Sequence, residues 1–356
     1  MNQFPPSIPL PQPRTPTRRW WRLVVVTLVF GVALGLIGAY VTIPYYTLGP
    51  GPARNVAQLV HIDGQRVYPS DGGFFLTTVA VSTREISLFE GLVAWLDPAV
   101  STISRSDLVP KGLTDEQYSQ YNALDMEESK YGAIIAAMRA VGVDSPLVPG
   151  ARVIGVAGGF PAEGHLKQGD LIVGVDGHEV TDPRGAVDRV VARPVGSIVE
   201  IEFVRDDKHL TTKVKTIRSP LRDQEGVPVI GVRLAPAFLL PFGVTIDSQN
   251  IGGPSAGLAF ALSVVDAVTP EDLTRGHLVA VTGTILGDGR VGPVGGVEFK
   301  VRAAEREGAD VFLVPSIEVD QAEKVAKDIK IIGVDTLADA IAELRKLARV
   351  ARRPAA

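Results

Sequence analysis

Ser255 stands in IGGPSAGLAF, residues 251–260, with Gly252, Gly253 and Pro254 before it and an apolar run after it. A lone hydroxyl there admits three roles. It can cap the helix that the apolar run predicts, help to cradle a phosphate at the helix start, or attack a carbonyl. Gly252, Gly253 and Gly257 clear side chains from around the hydroxyl, so another backbone can approach. Free N–H groups at a helix start suit a phosphate or a developing oxyanion equally well.

As a nucleophile the serine needs a base to take its proton. No GxSxG elbow is present, and His277 is the one histidine in this part of the chain. The other option is a lysine kept neutral by burial. Lys300, in TGTILGDGRVGPVGGVEFKVRAA, opens a helix after a Gly-rich turn, among Val297, Phe299, Val301 and Ala303. Desolvation lowers an amine from about 10.4 toward the ~7–8 range useful for a base. The positive end of a helix dipole acts in the same direction.

GGPSAGLAF followed by GGVEFKVRAA resembles the proteolytic domain of Lon-type Ser–Lys peptidases. That resemblance implies Ser255 as nucleophile, Lys300 as its base, and Thr282 of VTGTI as the residue that orients the lysine amine. The backbone of Gly253, Pro254 and Ser255 would hold the oxyanion. One position departs from the family pattern: ATP-dependent members carry an acid three residues before the serine, where this chain has Gly252, and Asp247 is the nearest upstream acid.

Several elements must place these groups. Leu23 to Ile43 runs 21 residues without a charge, enough at about 1.5 Å per residue to cross a hydrocarbon core of roughly 30 Å. Trp20, Trp21, Tyr40, Tyr45 and Tyr46 flank it as an aromatic belt, and Arg14, Arg18 and Arg19 precede it, which orients the N-terminus inward. TLGPGPARN, Thr47 to Asn55, reads as a Gly/Pro hinge beyond the span. Phe74 to Ser82 alternates as a strand. Thr114 and Gln117 predict a capping box for a short helix over 115–121, with a second helix over 126–141 ending at Gly142.

Residues 148–217 change texture, with short β-rich runs punctuated by glycine. GFPAEGHLKQGDLIVGVDGHEV, Gly159 to Val180, resembles a bacterial-type PDZ domain through Pro161, Ala162, Leu166, Gly169, Asp170, Ile172, Val175 and Gly177, with His165 where glycine is usual. The resemblance implies that an extended peptide adds to an open strand edge, placed by the motif at Arg152, Val153, Ile154 and Gly155. From Val227 onward, strands (VIGVRLA, LVAVTGTIL, DVFLVP, IKIIGV) alternate with helices (SAGLAFALSVVDAV, VEFKVRAAEREG, LADAIAELRKLAR).

The expected fold is α+β and multidomain. It runs from a basic, Pro-rich tail (1–22) through a transmembrane helix (23–43), a mixed α/β region (44–147), a PDZ-like β-rich domain (148–217) and a Lon-type proteolytic α+β domain (218–349) to a frayed tail (350–356). Composition bounds the function. The 356 residues carry a net charge of −4 and no useful basic block, which argues against nucleic acid. The absence of cysteine excludes thiol nucleophiles and zinc–thiolate sites. The five histidines show no metal-ligand spacing, so neither metal nor other cofactor is expected. No GxxxxGK[ST] occurs, so no P-loop and no use of ATP is expected.

The order of these segments resembles bacterial membrane-anchored, ATP-independent Lon-like proteases. This implies a serine endopeptidase in the plasma membrane with its catalytic domain on the outer side. It would act on peptides or unfolded proteins, and possible homo-oligomers follow from the ring-forming habit of Lon-type domains. Two other readings stay open: phosphoryl transfer at the GGPSAG loop, and a tethered PDZ adaptor with a non-catalytic Lon-like domain.

Overall fold

A computed structural model describes residues 18–110, 112–221, 226–249 and 251–350. The expected polar tail up to residue 17 and the end from 351 lie outside the described residues. The chain begins with α1 (Arg18–Tyr40), followed by the two-residue strand β1 (Thr42–Ile43). The window Trp20–Tyr40 of α1 is long and apolar enough to cross a membrane, and none of it is buried. The helix stops at Tyr40 rather than running to Ile43, because Thr42 and Ile43 pair antiparallel with Ser87 and Ile86.

Next come β2 (Tyr45–Asn55), β3 (Gly73–Val81), β4 (Ile86–Ser87, the partner of β1), α2 (Leu88–Leu96), β5 (Ser101–Ser104) and α3 (Asp115–Ala140). The expected hinge Thr47–Asn55 is therefore not a hinge but most of β2. It is paired along one edge with β3 and at its start with β5. A bulge between Pro50 and Ala53 absorbs the two prolines, which cannot donate to the ladder. Gly51 is required by close approach, since a Cβ there would lie 2.3 Å from Thr78 Oγ1. Tyr46 is not part of an aromatic belt: it is 4% exposed and its hydroxyl donates to Asp115 Oδ2 at 2.5 Å.

The capping box of Thr114 and Gln117 is present, but it starts one helix of 26 residues, not two. The polar stretch near Asn122 reads as a break only in isolation. In the fold, Leu124, Met126 and Ser129 already face inward on the same helix.

The PDZ-like part contains β6 (Leu147–Val156), β7 (Leu171–Val175), β8 (His178–Glu179), α4 (Pro183–Val191), β9 (Ile198–Arg205), β10 (Lys208–Lys215) and β11 (Val232–Phe238). Its sheet runs β10-β9-β7-β6-β11, with β8 on β7. Val153, Ile172, Val199, Ile201 and Phe203 form its core with Ala186 and Val190 of α4. The strand VIGVRLA, expected in the proteolytic part, thus closes this sheet beside β6. Arg152–Gly155 sits inside β6, which pairs with β11 on one side and β7 on the other. A peptide cannot add there without displacing a strand; the open edge on that side of the sheet is β11.

The remaining elements are α5 (Gly257–Val268), β12 (Leu278–Val281), α6 (Val297–Arg306), β13 (Val311–Pro315), α7 (Val319–Glu323), β14 (Lys330–Val334) and α8 (Leu337–Lys346). They share one six-stranded sheet with the N-terminal region, in the order β14-β13-β12-β3-β2-β5. β3, β12, β13 and β14 are mutually parallel, while β2 and β5 extend the sheet antiparallel. Strands covered on both faces are continuously apolar, as VFLVP and LVAV are. Val279, Val281, Val311 and Leu313 face a core with α3, α5 and α8, and Ala280, Phe312 and Val314 face one with α6 and α7. The boundaries expected at 147/148 and 217/218 therefore do not coincide with sheet membership. β2, β3, β5 and α3 are built into the sheet and core of the C-terminal part.

Candidate active site

The serine loop is held mainly by α3. Gly253 N–H donates to Asn122 O at 2.8 Å, and Ser129 Oγ donates to Pro254 O at 2.7 Å. Gly257 permits that contact, because a Cβ there would lie 2.5 Å from Ser129 Oγ and 2.7 Å from Ile285 Cγ2. The N-cap of α5 is Ala256, and no side chain caps this helix. The Ser255 hydroxyl is therefore not a cap. Among the described residues it makes no hydrogen bond, and it lines a cavity of about 590 Å³ together with Lys300.

Lys300 is on the first turn of α6. Gly296 precedes this helix in the left-handed region (φ 65°), a conformation that favours glycine. The lysine is 2% exposed, and Nζ donates to Thr282 Oγ1 at 3.0 Å. Thr282, itself fully buried, donates onward from Oγ1 to Ser255 O at 3.3 Å. Gly283 N–H also donates to Ser255 O, at 2.9 Å. The three residues named from the motifs thus converge, with the threonine bridging the lysine amine and the serine backbone. Burial lowers the Lys300 amine from 10.5 to about 8, opposed by the negative charge of Glu318.

Glu318 has no counterpart among the motif residues. It is 7% exposed, and Oε1 accepts from Val294 N–H at 2.6 Å. Oε2 is buried with no hydrogen-bond partner among the described residues. Burial raises the Glu318 carboxyl, and the Lys300 charge acts against that rise. Nothing in VPSIEVD marks it beforehand; only the packing of Ser316–Glu318 against the turn before α6 brings it there. The cavity walls from β2 and β3, namely Pro52, Arg54, Thr77, Thr78 and Val79, were equally hidden. Pro293 to Gly295 belong to the Gly-rich turn already read before α6.

The oxyanion assignment needs correction. Pro254 has no N–H, and the Gly253 N–H is spent on Asn122 O. Among the described residues, Ser255 and Ala256 have N–H groups without a hydrogen-bond partner. His277 is no base for this serine: its Nε2 lies 2.8 Å from Ala348 O, and it does not line the cavity. Asp247 is exposed, its Oδ1 accepting from Gln249 N–H at 2.9 Å, and it does not line the cavity either. The described residues contain no His/Cys/Asp/Glu group suited to a metal ion.

A serine hydroxyl at a helix start and a buried lysine amine whose basicity is lowered therefore line one cavity, linked through Thr282. Residues 247–347 match the Lon protease (S16) C-terminal proteolytic domain, and residues 124–216 match a PDZ domain. The Lon protease of Campylobacter concisus (strain 13826) is 38% identical over 94 residues, covering 25% of this chain and 11% of that protein. Lon protease 2 of Bacillus subtilis (strain 168) is 37% identical over 104 residues, covering 29% and 18%. The chain thus spans less than a fifth of the length of either relative. The PDZ domain of an SdrC-like protein from Listeria monocytogenes shares 29% identity, covering 25% of this chain and 90% of that one, with a TM-score of 0.23. The chain thus carries a segment similar to the Lon proteolytic domain and, ahead of it, a segment similar to a PDZ domain.

The Lys300 amine sets an expected pH dependence. If Lys300 acts as a base in peptide hydrolysis it must be unprotonated to do so, and kcat/KM should then rise with pH and level off above about 8. Glu318 favours the ammonium form, so Glu318→Gln, which keeps an acceptor for Val294 N–H, should move that rise toward acid. A pH–rate profile of the two proteins checks both statements.

Proposed function

We propose that this protein is a membrane-anchored, ATP-independent serine endopeptidase with a Ser255–Lys300 dyad, cleaving peptides or unfolded proteins outside the cytoplasm. The observation that carries this reading is the buried amine of Lys300, lowered to about 8, opening on the same cavity as Ser255. Neutral Lys300 takes the Ser255 proton as Oγ attacks the substrate carbonyl. The Ser255 and Ala256 N–H groups receive the oxyanion, and Thr282 holds the amine in line. The resulting ammonium gives its proton to the leaving amine. Water, deprotonated by the same lysine, then releases the acyl group.

The α1 helix anchors the chain with its N-terminus inside, because arginines precede the span. Folded substrates are expected to be poor ones, since the 356 residues carry no P-loop motif. The PDZ-like part recruits substrate or regulates the site by taking an extended peptide along the free edge of β11. There Val232, Arg233 and Leu234 face Ala186, Val187 and Val190 of α4 across a cavity of about 830 Å³. Self-association into a ring accords with a Lon-type domain.

The test is hydrolysis of an unfolded protein by the full chain in detergent. Ser255→Ala should reduce it to background, and an active-site serine probe should label the parent at Ser255. A Ser255→Ala protein as active as the parent would leave a tethered PDZ adaptor as the better reading.

A further inference from the structure

The nine residues of α2, LFEGLVAWL, carry six large apolar side chains exposed to solvent. Leu88, Phe89, Leu92, Val93, Trp95 and Leu96 are 43%, 59%, 52%, 50%, 79% and 66% exposed. Its inner face is small: Ala94 is buried, and a Cβ on Gly91 would lie 3.3 Å from Ile43 Cδ1. Its one charge, Glu90, is paired with Arg84 at 2.6 Å and closes the capping box with Ser87. A soluble surface does not carry so dense an apolar patch without an occupant.

The position of α2 identifies the occupant. β1 and β4 pair directly between α1 and α2, and Leu88 N–H donates to Val41 O at 3.0 Å. A Cβ on Gly38, in the last turn of α1, would lie 3.8 Å from Phe89 Cβ. The helix therefore packs against the end of α1, beside the exposed Tyr40 and Tyr45. If α1 crosses a bilayer, that level is the boundary between acyl chains and headgroups, where Trp, Tyr, Phe and Leu reside.

We propose that α2 is a second membrane contact, lying in the plane of the outer leaflet with Phe89, Leu92, Val93, Trp95 and Leu96 in lipid. The inference rests on the reading of α1 as a transmembrane anchor. It implies a fixed mount rather than a flexible tether. Immediately after α2, Pro98 O accepts from Arg302 Nη1 at 2.7 Å, and Arg302 lies on α6, the helix of Lys300. The catalytic cavity is thereby held at one height above the lipid surface.

The test exploits the three tryptophans of the chain. Trp20→Phe with Trp21→Phe leaves Trp95 alone, and Trp95→Phe leaves the pair at the other end of α1. Both full-length proteins are reconstituted in phosphatidylcholine–phosphatidylglycerol vesicles with plain or brominated acyl chains. Trp95 emission should be blue-shifted and should lose intensity in the brominated vesicles. Adding Phe89→Glu and Leu96→Glu should abolish that loss while the protein still floats with the vesicles. An unquenched Trp95 alongside a quenched Trp20/Trp21 pair would overturn the proposal and keep the anchor. A blue shift without bromine quenching would overturn it in favour of a second copy of the chain. Failure of both proteins to be quenched and to float would remove the anchor, and this inference with it.

Discussion

We expect Lys300→Met to fold normally and to lose about 10⁴-fold in kcat, the upper end of what removal of a general base costs. Methionine matches the length and apolar stem of the lysine, and the site is 2% exposed, so the cavity walls keep their packing. The hydrogen bond to Thr282 is lost, at a cost of about 1 kcal/mol. A larger gain opposes it. The amine titrates near 8 in the folded chain and near 10.5 when solvated. Between those values the unfolded chain holds more protons, so stability rises with pH across that window. Below about pH 8 the full penalty of burying an ammonium is present, roughly 3 kcal/mol as an upper figure. Methionine removes it, so the melting temperature at pH 7 should not fall.

Lys300→Arg separates charge from basicity. The guanidinium cannot give up its proton at working pH, so this variant should be as inactive as the methionine one. It should also be less stable, because a permanent charge then occupies the same buried position. Hydrolysis assays paired with thermal melts on the three proteins read both effects. A Lys300→Met protein retaining a tenth of the parent rate would remove the lysine from the chemistry.

The glycines that bare the Ser255 hydroxyl are local information, but composition around Lys300 fits a surface lysine equally well. Lys300 and Thr282 are singled out by the resemblance of GGPSAGLAF and GGVEFKVRAA to a family pattern. The burial of the amine and its contact with Thr282 are visible only in the fold. The PDZ-like part is likewise singled out by resemblance, through its glycines and the Asp170 turn. What was not legible is pairing at a distance. TLGPGPARN has the composition of a hinge, yet Gly51 and the bulge at Pro50–Ala53 fit it against β3, where Pro52 and Arg54 become cavity walls. Nothing in Phe74–Val81 says that its parallel partner is Leu278–Val281, some two hundred residues on. The peptide edge was misplaced on the same ground. The motif names β6, and only the topology shows that β11 occupies its side. Pro254 as an oxyanion donor was an error that covalent structure alone forbids.

That distant pairing has a large expected consequence for any dissection of the protein. A fragment of residues 227–350 contains Ser255, Thr282 and Lys300 and the whole segment matched by the Lon-type family, yet we expect it not to fold. It lacks β3, so β12 in the middle of the sheet loses its parallel partner and leaves a row of backbone groups unpaired. It also lacks α3, whose Met126, Ala133, Ile134 and Met138 share one core with Leu258, Phe260 and Leu262 of α5. Burying Phe74, Leu76, Met126 and Ile134 is worth about 1.5–3 kcal/mol each. Together that rivals the ~5–15 kcal/mol net stability of a typical domain. The serine loop also loses both contacts from α3, Asn122 O and Ser129 Oγ, so a partly collapsed fragment would still misplace the nucleophile. Urea titration followed by near-ultraviolet circular dichroism should show no cooperative transition for residues 227–350. Residues 42–350, which retain β2, β3 and α3, should unfold cooperatively. A sharp transition from the shorter fragment would mean that the N-terminal strands decorate the proteolytic sheet rather than complete it.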